Sequence, residues 1–84
     1  MYMDYFTKVS ETEEIYGFKA HQIAGIRSYI IHHDNHRIVV QSEDEVLETH
    51  TYDGNLEDAA TFVFEELLDE TPAGTVLLPI KSNE

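Results

Sequence analysis

The sequence has no cysteine, few basic residues and no long apolar run. The absence of cysteine excludes both a disulfide framework and a thiolate metal site. No apolar run is longer than the three residues at 38–40, so we expect no segment that spans a bilayer. The first residues lack the basic region and the apolar run of a signal peptide. We therefore expect a cytoplasmic protein.

The usual motifs of catalysis are missing as well. There is no Gly-x-Ser-x-Gly turn, and the four glycines are too scattered for a loop that cradles phosphate. The acidic run at 43–45 lacks the spacing and the glycine of a calcium loop. A chain of 84 residues forms one domain, 1–84, whose modest core leaves little room for a buried active site. We therefore predict a protein that is not an enzyme and needs no cofactor.

Positive charge is scarce and is absent from a long stretch of the chain. Seventeen Asp and Glu against five Lys and Arg give a net charge of −12. Between Arg37 and Lys81 there is no Lys or Arg, and there are eleven carboxylates. Such a surface repels nucleic acid and anionic membranes, and it attracts basic proteins. The alternative is that the acidity only keeps a small protein soluble.

The central third of the chain predicts a β-meander. Residues 28–33 and 36–41 are rich in β-branched and aromatic residues and flank Asp34-Asn35, which suits a two-residue hairpin turn. A turn at 42–45 and a third strand at 46–52 follow. In this register one face of the hairpin carries four apolar residues that we expect in the core: Tyr29, Ile31, Ile38 and Val40.

A helix at 56–70, with Asn55 as its N-cap, is the clearest single element. Residues 71–74 end this helix, and a last strand at 75–80 contains Pro79, which suggests a sheet edge. Its apolar residues recur with helical spacing on one broad face: Leu56, Ala59, Ala60, Val63, Phe64, Leu67 and Leu68.

Residues 10–25 fit two structures. The first is a helix that begins with a capping box at 10–13, and the second is a strand at 14–21. The predicted fold is therefore α+β: a small antiparallel sheet of three to four strands packed on one principal helix, in the order (α or β)-β-β-β-α-β.

Carboxylates on the predicted helix are the best candidates for a binding surface. They are separated by roughly 5–11 Å on a helix with a rise of 1.5 Å per residue, which is comparable with the distances between nearby phosphates on a nucleic acid. Phe62 lies among these acids, where an aromatic ring can anchor a basic partner, unless the N-terminal segment covers it. With the acidic loop, the predicted partner-binding residues are Glu43, Asp44, Glu45, Asp58, Phe62, Glu65, Glu66, Asp69 and Glu70. The alternative is a solvated helix face.

Histidines gather at the predicted hairpin tip. His33 directly opposes His36, with Cβ atoms roughly 5 Å apart, His32 is beside them, and His50 falls on the next predicted strand. Imidazoles at this distance can share a transition metal or respond to pH. The alternative, which we favour, is a set of polar histidines on an exposed tip, so no metal site is predicted.

The layout of residues 28–70, a three-stranded meander with an acidic loop and an acidic helix, resembles phage-encoded anti-CRISPR proteins and other DNA-mimic inhibitors. This resemblance implies a nuclease or effector complex as partner, with the carboxylates blocking its nucleic-acid-binding or PAM-reading site. The run Thr-Tyr-Asp-Gly-Asn-Leu-Glu-Asp-Ala at 51–59 is similar to the sheet-to-helix junction of HicB-type antitoxins, and Pro79 lies near where that family often has a proline. That second resemblance implies an antitoxin-like inhibitor of a toxin nuclease.

Together these features predict a non-enzymatic acidic inhibitor that mimics a phosphate backbone. Its expected partner is a basic nucleic-acid-binding protein, such as a nuclease or an effector complex, and not nucleic acid itself or a membrane. The alternatives are an antitoxin-like inhibitor, a metal-binding or pH-responsive domain that uses the hairpin histidines, and a structural homodimer.

Overall fold

The computed structural model describes residues 2–22, 25–68 and 76–80. Within these ranges one antiparallel sheet packs against one helix, so the α+β prediction is confirmed, with six strands in place of three to four. The strands are β1 (Thr7–Lys8), β2 (Ile15–Gln22), β3 (Gly25–His32), β4 (Arg37–Gln41), β5 (Val46–Thr51) and β6 (Val76–Pro79). The helix α1 (Leu56–Phe62) continues into a π-helical turn (Val63–Leu67), and 3-10 turns lie at Tyr2–Tyr5 and His33–Asn35.

The hairpin of β3 and β4 has the predicted register, and β5 follows as the third strand of the meander. Tyr29 pairs with Val40 and Ile31 with Ile38. The turn differs in detail, because the positive φ of 49° is at His36 and not at the two residues before it. The reason is that His33–Asn35 winds as a right-handed 3-10 turn, which the N–H of His36 closes on the carbonyl of His33 at 3.2 Å.

Residues 15–22 form a strand, so the strand alternative for this segment is confirmed and the helix alternative is wrong. The Ser10 hydroxyl accepts the N–H groups of Thr12 and Glu13 at 3.2 and 3.1 Å, but no helix follows. Gly17 explains part of the preference for a strand. It is buried, and a Cβ atom there would lie 3.0 Å from the carbonyl oxygen of Tyr29 on β3. Glycine therefore allows the close approach of β2 and β3.

One side of β2 pairs with two short strands placed end to end. β1 pairs with the start of β2 and β6 with the remainder, from Phe18 opposite Pro79 onward. The Thr7 hydroxyl joins the two, since it lies 3.1 Å from the Gly17 carbonyl oxygen and accepts the N–H of Ile80 at 3.3 Å. β6 pairs with β2 alone among the described strands, so the edge position predicted from Pro79 is confirmed.

The core lies between the sheet and α1. The four hairpin residues predicted there are at most 1% exposed, and Phe18 and Ala20 of β2 are fully buried beside them. From the helix, Ala59, Ala60 and Val63 are fully buried. The remaining predicted helix residues belong to this core or pack against its rim: Leu56, Phe64, Leu67 and Leu68. The predicted apolar face of the helix is confirmed.

The helix begins as predicted and changes its winding at Val63. Asn55 is the N-cap, and its side-chain oxygen accepts the N–H of Asp58 at 2.9 Å. From Val63 the turn is π-helical, and the N–H of Leu68 donates to the carbonyl of Val63 at 2.7 Å. Asp69 and Glu70, and the predicted helix end at 71–74, lie outside the described residues.

Candidate partner-binding site

The predicted helix carboxylates that lie within the described residues are exposed, but one of them also serves the fold. The Asp58 carboxylate accepts the backbone N–H of Asn55 at 3.0 Å, which completes a capping box at the start of α1. Because this hydrogen bond is at the surface and the side chain is exposed, the Asp58 carboxylate can still contribute to the local field. Glu65 and Glu66 are exposed on the π-helical turn. The structure therefore places Asp58, Glu65 and Glu66 on one continuous helical segment.

An open cleft of about 330 Å³ lies beside this segment, between the helix and the N-terminal turn. Its lining residues are Tyr2, Tyr5, Glu57, Thr61 and Glu65. The two tyrosine rings pack against Phe64. The centroids of Tyr2 and Tyr5 lie 4.9 and 5.3 Å from the centroid of the Phe64 ring. Phe64 in turn stacks on Phe18 of the core at 5.2 Å. The cleft therefore has aromatic walls that the core fixes in place.

Glu57 holds the N-terminal turn onto the helix. Its carboxylate oxygens accept the backbone N–H groups of Tyr2 at 3.1 Å and Met3 at 3.3 Å. Sequence reasoning did not find Glu57 or the two tyrosines as site residues. The contact joins residues 55 positions apart in the chain, so no local sequence pattern predicts it.

Phe62 is half-buried and packs beside β5. Its ring contacts His50 edge-on, with centroids 5.6 Å apart, and His50 lies 2.9 Å from the Glu48 carboxylate. The N-terminal segment instead contacts Phe64. Phe62 therefore presents only part of its ring to a partner, next to an imidazole and a carboxylate.

The acidic loop 43–45 forms a second exposed group. The Ser42 hydroxyl accepts the N–H groups of Asp44 and Glu45 at 3.4 and 3.3 Å, which holds the turn between β4 and β5. Glu43 and Asp44 line a shallow cleft with Gly25 and Ile26, at the end of the sheet where β3 begins. The predicted carboxylates thus divide between the helix and this loop.

Charge is distributed unequally between the two sides of the sheet. Because side chains alternate along a strand, the neighbours of the buried residues point to the open face, opposite the helix. Lys19, His21, His32 and Arg37 lie on that open face. Glu48 is the one carboxylate within the described strands, and it pairs with buried Val40, which places it on the helix side. The open face of the described strands therefore carries Lys19 and Arg37 and no carboxylate, whereas Lys8 and Arg27 lie on the helix side, opposite Tyr16 and Ala20.

The histidines divide among three places. His33 and His36 are neighbours, with ring centroids 5.3 Å apart, and both contact the Tyr52 ring. His32 is on the open face of the sheet and His50 is beside Phe62. Among the described residues, no group of three or more His, Cys, Asp or Glu is placed to hold a metal ion.

His33 is the centre of a polar network at the hairpin tip. Its Nδ1 forms a short hydrogen bond with the Tyr52 hydroxyl, and its Nε2 lies 3.9 Å from the Glu14 carboxylate. Burial raises the pKa of Tyr52 above its ordinary value, and the negative charge of Glu14 raises it further. A phenol with a raised pKa keeps its proton and is a poor nucleophile. These hydrogen-bonded side chains are therefore suited to fastening the hairpin tip to the end of β5.

The chain matches no family model, no curated protein and no solved structure. Among the described residues, no helix is long and apolar enough to cross a membrane.

Proposed function

We propose that this protein is a non-enzymatic acidic inhibitor of a basic nucleic-acid-handling protein, such as a nuclease or a CRISPR effector complex. It binds by occupying the site of a phosphate backbone. The supporting observation is the exposed acidic helix: Asp58, Glu65 and Glu66 lie on its described segment, whereas the open face of the described strands carries Lys19 and Arg37 and no carboxylate. A groove that binds phosphate attracts the first surface and repels the second, so the charges also orient the complex.

The cleft beside the helix gives this surface a specific feature. Two tyrosine rings stand next to the Glu65 side chain, which accepts no hydrogen bond from the described residues. An arginine or lysine of the partner can place its charged group against a tyrosine face and pair with the Glu65 carboxylate. The cleft therefore suits the basic side chains that line a phosphate-binding groove.

The test begins with a partner captured on the immobilised protein and then purified. We expect the double variant Glu65→Gln/Glu66→Gln to bind this partner roughly tenfold more weakly or worse, because it loses two charges from the contact surface. The matched control is Glu13→Gln/Asp34→Asn, which removes two exposed charges from other turns. Isothermal titration calorimetry measures both. Equal weakening by the two double variants would show that net charge matters and that this surface does not.

Competition decides whether binding is mimicry. We expect duplex DNA or RNA to displace the protein from its partner, and we expect the affinity to fall as salt rises, because both ligands release counterions from one groove. A partner that binds nucleic acid and this protein at the same time would contradict the proposal. So would an affinity that does not change with ionic strength.

A further inference from the structure

β5 lies at one edge of the sheet that the described strands form. No described strand pairs with its outer side, since β4 is its one neighbour in the described sheet. Val46 and Leu47 at its start are 57% and 40% exposed, and they are two of the four large apolar side chains exposed in the described structure. An edge with exposed apolar residues is a template for a further strand.

The backbone of β5 presents its hydrogen-bonding groups outward at known positions. The N–H of Tyr52 donates to the carbonyl of His36 at 3.1 Å, so Tyr52 faces β4. Alternate residues of a strand direct their N–H and C=O groups to the same side. His50 therefore also faces β4, whereas Thr49 and Thr51 direct their backbone groups away from it, toward the outer edge.

We infer that the β5 edges of two copies of this chain pair antiparallel, about a two-fold axis beside Thr49. Residues directly across an antiparallel pair lie on the same face of the sheet, so the axis is normal to the sheet and one residue sits opposite itself. Glu48 and Thr49 are the two central residues of Val46–Thr51, and a register centred on either one pairs the most residues.

Charge decides between these two registers. A centre at Glu48 places two carboxylates across from each other at Cβ separations of about 5 Å, which is destabilising. A centre at Thr49 instead places Glu48 across from His50 of the second copy, and this contact occurs twice by symmetry. It also brings the outward N–H and C=O groups of both Thr49 residues together. Self-pairing at Thr49 therefore pairs the outward backbone groups and avoids placing two carboxylates across from each other.

The dimer is weak and responds to salt. Two edges of six residues form an interface at the small end of the known range. Each copy also carries a net charge of −12, so the two copies repel at low ionic strength. Salt screens this repulsion, and the dimer becomes more populated as salt rises.

A cysteine cross-link tests the register directly, because the chain has no cysteine of its own. In Thr49→Cys the two introduced residues face each other with Cα atoms about 5.5 Å apart, within reach of a disulfide. In Leu47→Cys, the matched control, they are offset by four residues along the strand, roughly 13 Å. We expect oxidation to cross-link the first variant and not the second. Equal cross-linking of both, or none in either, would overturn the register.

Sedimentation velocity tests the dimer itself. Thr49→Pro removes an outward N–H and leaves the hydrogen bonds between β4 and β5 in place, which is where a strand tolerates proline. We expect wild-type dimer to increase with salt and with protein concentration, and Thr49→Pro to stay monomeric throughout. A wild-type chain that stays monomeric under all these conditions would overturn self-pairing.

The proposed dimer and the proposed inhibitor complex can be disproved independently. Salt weakens the inhibitor complex and strengthens the dimer, and the Glu65→Gln/Glu66→Gln variant should dimerise like the wild type. If wild type is monomeric and Thr49→Pro loses the captured partner, then β5 accepts a strand of that partner, and the pairing of two copies is wrong.

Discussion

Tyr52 joins two segments that are distant in the chain. It follows β5 directly, and its hydroxyl bonds to His33 in the turn between β3 and β4. Glu14, just before β2, completes the chain of polar contacts through the other nitrogen of His33. The His33 ring therefore links three parts of this end of the sheet.

The Tyr52→Phe variant tests this role through its pH dependence. At neutral pH we expect a loss of about 1 kcal/mol in the free energy of unfolding, the usual net value of one hydrogen bond. The folded pKa of Tyr52 is raised above 10.0, so the unfolded chain loses this proton first. The contribution of Tyr52 to the free energy of unfolding is fully present below pH 10.0, the unfolded pKa, and declines as pH rises through the folded pKa. The gap between wild type and variant should therefore narrow in alkali.

Urea denaturation at neutral and alkaline pH measures this gap, with Tyr5→Phe at an exposed ring as the control. A gap that is constant across the range would show that the folded environment does not hold the proton on Tyr52.

Two other residues have roles that their neighbours in sequence do not reveal. Gly17 counts against a helix by composition alone, but its buried contact with β3 is what requires glycine. Asp58 was predicted as a partner contact, and the structure adds a capping role at Asn55. The pattern Asn-x-x-Asp before an apolar run is the signal that sequence reasoning missed, since it is close to a capping box.

At the scale of elements, the N-terminal turn depends on one carboxylate. Glu57 accepts two backbone N–H groups from Tyr2–Tyr5, and the tyrosine rings cover Phe64. The turn has no buried residue of its own. Its position on the helix therefore rests on Glu57 and on the aromatic contacts with Phe64.

Glu57→Gln should loosen this turn. An amide has one acceptor oxygen where the carboxylate has two, so one N–H loses its partner, at a cost of roughly 1–3 kcal/mol. We expect faster hydrogen exchange at the amides of Tyr2 and Met3 and a lower unfolding midpoint. Glu65→Gln, in the same cleft but without these bonds, is the control. Unchanged exchange in Glu57→Gln would mean that the aromatic contacts alone hold the turn.

Elements with strong local signals were predicted, and those defined by distant pairing were not. The hairpin register follows from its alternation and turn residues, and α1 follows from its spacing and its N-cap. β1 has two residues and exists because β2 offers an edge beside Thr7. The π-helical turn has no local signal either, and it was predicted as ordinary α-helix. Short or irregular elements take their form from their neighbours.

At the scale of the whole molecule, the net charge of −12 lowers the stability of the fold and is unevenly distributed over its surface. Self-repulsion destabilises the compact state, since unfolding separates the charges. The fold arranges the described strands so that their open face carries Lys19 and Arg37 and no carboxylate. The molecule therefore has two sides with different electrostatic character.

Salt should stabilise the fold. We expect the thermal midpoint to rise between low and physiological ionic strength, because screening weakens the repulsion among the carboxylates more in the folded chain than in the unfolded chain. Circular dichroism at low protein concentration measures this without a contribution from dimers. Arg37→Gln, which removes a cation and makes the net charge more negative, should respond more steeply to salt. A midpoint that falls with salt would show that attractive ion pairs dominate the folded state.

The sequence by itself determined the meander, the apolar face of the helix and the excess of negative charge. Alternation, helical spacing, turn residues and composition are local properties, and they act before the chain is compact. Only the tertiary structure decided that Lys19 and Arg37 share the open face of the sheet, that Glu57 holds the N-terminal turn, and that β5 lies at an edge of the described sheet. These features depend on which segments meet in space, and that is settled when the sheet and the helix bury a common core.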